Sequence, residues 1–162
     1  MDTLWHEVWK GIYTDFADLP GVRELTQLLL RLGLAAGLGS LLGIQREFVG
    51  RAAGLRTHML VALGSAFFIL LPVQAGMDLA DLSHVLQGLT TGIGFLGTGT
   101  ILKWEGQIEG LTTAASLWLT AAVGIAAGMG REMSAVLGTV LAFLILALVP
   151  RMGPKRSPKD GA

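Results

Sequence analysis

From Leu25 to Ile44 the chain runs for twenty residues with a single charge, Arg31. At about 1.5 Å of rise per residue, that length crosses the roughly 30 Å hydrocarbon core of a bilayer. Nothing in that core can satisfy an exposed backbone amide, so the run is expected to be helical. Four more apolar runs follow, at about 57–75, 82–102, 111–129 and 133–149, the last stopping at Pro150. The expected fold is therefore all-α, an integral membrane protein with five transmembrane helices. With 52% hydrophobic and 15% charged residues, the composition is too apolar for an ordinary soluble domain.

Residues 1–24 precede the first run. Leu4, Trp5, Val8, Trp9, Ile12, Tyr13 and Phe16 recur at helical spacing opposite Glu7, Lys10 and Asp15. This pattern predicts an amphipathic helix in the membrane interface, where Trp and Tyr rings settle, or a short helix capping the bundle. Leu19-Pro20-Gly21 ends it. A cleavable signal peptide is not expected, because the start lacks both a basic region and a continuous apolar stretch. Residues 25–150 form the expected transmembrane domain, and 151–162 a disordered cytoplasmic tail. Five spans place the termini on opposite sides. The side holding loop 45–56, loop 103–110 and the tail carries eight basic residues against four acidic, and the other side three against eight. Basic loops stay in the cytoplasm, so the N-terminus is expected outside.

Several function classes drop out early. There is no cysteine, which removes disulfides and thiolate metal sites. Twelve basic and twelve acidic residues cancel, leaving no nucleic-acid footprint. His6, His58 and His84 fall on separate segments, and neither a nucleophile elbow nor a phosphate loop is present, so no enzyme is expected. No catalytic, cofactor-binding or metal residues are assigned. The apolar runs hold no Asp or Glu for a hard divalent cation beyond those at their ends.

The third run contains GLTTGIGFLGTGT, residues 88–100. Each interior glycine costs a helix about 1 kcal/mol against alanine, so five need a return. Two causes fit. Gly88, Gly92, Gly94, Gly97 and Gly99 with Thr98, Thr112 and Thr113 either pack helices closely or line a path through unwound backbone. The threonines can equally bond back to their own helix carbonyls. Continuous helix packed against the first and fourth spans is the expectation. The first span carries its own small ridge at Gly33, Gly37 and Ser40, beside Ala36 and Gly43, and Arg31 is expected to snorkel or to pair with Glu24. Gly37-Leu38-Gly39 matches Gly92-Ile93-Gly94, and Gly54-Leu55-Arg56-Thr57 matches Gly110-Leu111-Thr112-Thr113, either as an internal duplication or as the chance likeness of glycine-rich helices.

Arg46, Glu47, Arg51, Arg56, Thr57 and His58 form the densest polar set near a membrane boundary. Three guanidiniums suit phosphate or carboxylate groups. Arginines in a short loop also simply fix topology and touch lipid phosphates.

Four motifs in order, Gly43-Ile-Gln-Arg-Glu47, Ala53-Gly-Leu-Arg-Thr-His58, Gly92-Ile-Gly-Phe-Leu-Gly97 and Gly110-Leu-Thr-Thr-Ala-Ala115 with Trp118, resemble the MgtC/SapB family over about residues 25–130. The resemblance implies a bacterial inner-membrane protein tied to survival at low magnesium and, in some pathogens, to growth in macrophages and restraint of the proton-driven ATP synthase. Gln45 stands where the family commonly has glutamate, and the length fits the short, SapB-like form without a C-terminal cytoplasmic domain. The expected partners are the lipid bilayer, further copies of the chain and a membrane protein, with Mg²⁺ an effector rather than a ligand. A transporter or channel through the third span is the alternative function, and a structural scaffold a weaker one.

Overall fold

A computed structural model describes residues 2–16, 21–104 and 107–152. They form six helices and one hairpin: α1 (Asp2–Phe16), α2 (Val22–Phe48), α3 (Leu55–Gln74), α4 (Leu79–Gly99), β1 (Leu102–Trp104), β2 (Gln107–Glu109), α5 (Leu111–Gly128) and α6 (Glu132–Met152). Three of the helices, α2, α3 and α5, are long and apolar enough to cross a membrane. The chain divides into two compact units, residues 1–30 and 31–162.

In the first unit, α1 is helical as its periodicity predicts, with Trp5, Trp9 and Tyr13 exposed. The side chains of Ile12, Asp15 and Phe16 and the break at Leu19-Pro20 lie outside the described residues. Glu24 accepts the Gly21 N–H at 3.3 Å, a local cap at the start of α2.

The second unit is a helical bundle whose core is made of small residues. Ala35 and Leu38 of α2, Ala62 and Ala66 of α3, Val123 and Ala127 of α5, and Ala135 of α6 form one buried cluster. Small side chains let the backbones approach. A Cβ at Gly124 would overlap the Ala62 carbonyl, and one at Gly128 would lie 2.8 Å from the Ala66 carbonyl. Since residues 62 and 66 meet 124 and 128 in the same order, α3 and α5 run parallel, and each must be preceded by chain that crosses back. Helix α2 is antiparallel to α3, with Gly39 against His58 and Ala62, and Gly43 against Leu55. Helix α6 follows α2, Glu132 meeting Arg31 at one end and Leu146 meeting Gln45 at the other.

The small ridge of α2 therefore differs from the one expected. Gly33 and Gly37 have no neighbour within 4 Å of a Cβ position, whereas Gly43, expected beside that ridge, and Gly39, not among the expected residues, carry the contact. Both sets are four residues apart, and the core selects the face that also bears Ala35, Leu42 and Arg46. For Arg31, the expected Glu24 pairing is replaced by another partner. Its ion pair is with Glu132, at 3.8 Å, and its guanidinium lies against Gly130 in the turn between α5 and α6.

Three boundaries shift. Residues 45–48, expected in a loop, are the last turn of α2. That helix ends at Gly50 (φ 68°), whose N–H bonds the Glu47 carbonyl while the Arg51 N–H bonds that of Arg46, a Schellman closure that favours glycine. The expected loop at 103–110 is partly a hairpin, with Leu102 opposite Glu109 and Lys103 opposite Ile108. Gly110 closes it at φ 87°, where a Cβ would collide with the Thr100 carbonyl. Finally α6 continues through Pro150 to Met152; residues 153–162 of the expected tail lie outside the described residues.

Candidate functional site

The starts of α3 and α5 meet at one end of the bundle. Gly54 and Gly110, matched in the sequence, are the residues that precede α3 and α5. The parallel packing of those helices brings their first turns together beneath the last turn of α2. Extending α2 past Ile44 turns Arg46 inward, where it is 4% exposed. Its Nη2 donates to Thr113 Oγ1 on α5 at 2.8 Å.

His58, fully buried, stands beside this link. Its Nδ1 is 2.9 Å from the Gly54 carbonyl and its Nε2 is 3.3 Å from Ser116 Oγ. A carbonyl can only accept, so Nδ1 carries the proton. Ser116 has one proton to share between His58 Nε2 and the Thr113 carbonyl, 2.8 Å away. Thr120 continues the row, donating to the Ser116 carbonyl at 2.8 Å. A guanidinium, an imidazole and three hydroxyls thus form one buried network, with Arg46 Nε left without a partner.

The six polar residues grouped by the sequence separate into two sets. Arg46 and His58 face the interior, while Glu47, Arg51, Arg56 and Thr57 are exposed. Glu47 has a defined task, since its Oε2 accepts the Leu55 N–H at 2.8 Å and so tethers the end of α2 to the start of α3. Gly54 makes room for it: a Cβ there would sit 2.8 Å from that oxygen. Arg51 and Arg56 are left as exposed cations with no ion pair among the described residues.

Helix α4 is continuous from Leu79 to Gly99, as expected, and it packs on α5 and α3. Asp78 caps it, its Oδ1 accepting the Ala80 and Asp81 N–H groups at 3.0 Å. Of its five central glycines, Gly97 meets another helix, with Ala114 Cβ 3.5 Å from its Cβ position; Gly88, Gly92, Gly94 and Gly99 have nothing within 4 Å. Thr90, Thr91 and Thr98 donate to the carbonyls of Leu86, Gln87 and Gly94 on their own helix. Thr112 is exposed, and Thr113 belongs to the buried network.

Sequence reasoning passed over Gln45, Ser116 and Thr120 as site residues. Gln45 Nε2 donates to the Leu146 carbonyl at 2.9 Å. The signal was available in Pro150, which has no N–H to offer the carbonyl four residues before it. Ser116 and Thr120 stand three and seven residues after Thr113, on the same face of α5, a spacing visible in the sequence. His6, His58 and His84 sit on α1, α3 and α4. Among the described residues no three His, Cys, Asp or Glu side chains gather as metal ligands.

The pattern of the MgtC family matches residues 32–154. The chain is 45% identical over 116 residues to the protein SrpB of Synechococcus elongatus, covering 64% of each. It is 40% identical over 111 residues to YhiD of Escherichia coli, covering 64% of this chain and 52% of that one. With the protein MgtC of Salmonella typhimurium the identity is 40% over 108 residues, covering 67% of this chain and 46% of the other. The chain thus spans about half to two thirds of the length of these relatives. No solved structure matches it.

Proposed function

The chain belongs to the MgtC family, and from that premise we propose that it is a five-span inner-membrane protein of ion homeostasis that acts by binding and modulating a membrane partner. The family resemblance points to a proton-driven ATP synthase as one such partner, and to low magnesium as the condition. Five spans are supported by helix direction. Parallel α3 and α5 need α4 to return between them, and α6 runs with α2. Helices α4 and α6 have 21 residues each, about 31 Å at 1.5 Å per residue.

One observation carries the choice of modulator over carrier. Among the polar groups that the fold draws inside, Arg46, His58 and the hydroxyls of Thr113, Ser116 and Thr120 are joined to one another and to helix carbonyls. A hard divalent cation seeks carboxylate and carbonyl oxygens, and a buried guanidinium repels it. Among the exposed groups beside the network, Arg51 and Thr57 are available to meet a partner at the membrane surface.

YhiD is put forward by its name as a magnesium transporter, so the test measures both activities. Purified protein in liposomes is expected to pass Mg²⁺ no faster than empty liposomes, and a deletion strain is expected to regain growth in low Mg²⁺ from the wild-type chain but not from an Arg51→Ala/Thr57→Ala double variant. Protein-dependent Mg²⁺ flux would overturn the modulator reading. Full rescue by the double variant would remove the exposed set from it.

A further inference from the structure

Helices α3 and α4 do not close on each other along their length, and between them lies a groove of about 720 Å³. That is the size class of pockets that bury a small molecule. Its walls are apolar, Leu60 and Phe68 on one side and Leu89 and Leu96 on the other, and Arg56 stands at one end. Three glycines make the space. A Cβ at Gly64, Gly88 or Gly92 would meet nothing within 4 Å, so the groove exists where their side chains are missing.

We propose that this groove is a binding site for one anionic phospholipid, its phosphate held by Arg56 and one acyl chain laid between α3 and α4. Length supports the assignment. From Arg56 to Phe68 is about 18 Å of helix at 1.5 Å per residue, against about 15 Å for half of a 30 Å hydrocarbon core. The groove therefore covers one leaflet, with its cation at that leaflet's headgroup level. Charge supports it too. The Glu47 carboxylate, the nearest acid in the loop sequence, is engaged with the Leu55 N–H, while Arg56 is exposed and has no ion pair among the described residues. An exposed guanidinium at the end of an apolar trough favours a chain whose phosphate headgroup carries net negative charge. A second copy seated symmetrically in the groove would bring two Arg56 side chains to the same level of the membrane, where like charges oppose docking. The assignment also gives a use to Gly88 and Gly92 of α4, whose Cβ positions meet nothing within 4 Å among the described residues.

The experiment uses the full chain in bilayers of equal phosphatidylglycerol and phosphatidylcholine with matched acyl chains, followed by native mass spectrometry of the lipid that stays bound. Phosphatidylglycerol is expected to be retained about tenfold over phosphatidylcholine, which has the same phosphate but whose choline cation opposes the Arg56 guanidinium. Arg56→Gln is expected to bring the two lipids to parity, and Gly92→Leu, which fills the trough, to lose both. Gly64→Leu does the same from the α3 side and serves if Gly92→Leu elutes as aggregate. Equal retention by the wild type, or unchanged phosphatidylglycerol preference in Arg56→Gln, would overturn the proposal. Because the chain has no cysteine, Leu60→Cys reports the competing occupant, and rapid disulfide dimers in these bilayers would assign the groove to a second copy instead.

Discussion

Gln45 and Pro150 are joined by a proton that proline lacks. Helix α6 survives Pro150 because the carbonyl of Leu146, four residues earlier, is supplied from outside the helix by Gln45 Nε2. Gln45→Ala is therefore expected to cost about 1 kcal/mol in a denaturant titration in detergent, the penalty for a part-buried carbonyl left unpaired. Pro150→Ala restores an N–H to α6, and in that background the same Gln45→Ala change is expected to cost little. Equal costs in both backgrounds would show that the amide does not serve Leu146. Gln45→Glu is expected to be no better than Gln45→Ala, since a carboxylate cannot donate. Arg46 offers a second asymmetry. Thr113→Val strands a buried guanidinium and is expected to cost about 1.5–3 kcal/mol, whereas Arg46→Met removes the charge altogether and is expected to be closer to neutral. The double variant should then recover most of the Thr113→Val loss, which a melting series on all four proteins would show. At this scale the sequence was half legible. It singled out Arg46 and His58 as polar residues worth attention, but it could not tell them from exposed Arg51 and Arg56. That distinction depends on α2 continuing through Phe48 and on α5, more than fifty residues away, presenting Thr113 and Ser116 to them.

Among the helices, what matters is which small face meets a neighbour. Helix α2 carries glycines four apart on two faces, 33 with 37 and 39 with 43, and spacing alone ranks them equally. The structure packs the second pair because the same face bears Ala35, Leu38 and Leu42. The apolar runs predicted the helices well, since a segment that must satisfy its own amides has few other forms. The hairpin at 102–109 escaped because three-residue strands leave too short an alternation to see. Helices α4 and α5 supply the sharpest comparison. Glycine was conspicuous in α4, yet the glycines that join α5 to α3 are Gly124 and Gly128 of α5, each pressed on a backbone carbonyl of α3. Gly124→Ala is expected to destabilise by about 1–3 kcal/mol, the usual range for overpacking. Gly94→Ala, with open space around its Cβ position, is expected to gain up to about 1 kcal/mol from helix propensity. Thermal melts of the two variants check this, and a Gly94→Ala loss as large as that of Gly124→Ala would mean that a partner or a second copy closes on α4.

The whole molecule has one geometrical commitment from which its topology follows. Helices α3 and α5 begin at the same end of the bundle, at Gly54 and Gly110, and lie parallel along Ala62, Ala66, Gly124 and Gly128. If both cross a membrane, the intervening chain crosses as well. Helix α4 would be that crossing, and its Thr90, Thr91 and Thr98 hydroxyls bond their own helix carbonyls. The hairpin then lies on the same side as the arginine-rich turn after α2, and the turns after α3 and α5 lie on the other. Single cysteines test this directly in a chain that has none of its own. On intact cells a membrane-impermeant maleimide is expected to label Met77→Cys and Arg131→Cys, and to reach Ala52→Cys and Lys103→Cys only after permeabilisation. The decisive position is Lys103. Labelled together with Met77, it would mean that α4 does not cross, and parallel α3 and α5 could not then both be spans. Labelled together with Ala52, it keeps five crossings and sets Arg51, Arg56 and Lys103 on one membrane face, where the excess of basic residues places the cytoplasm.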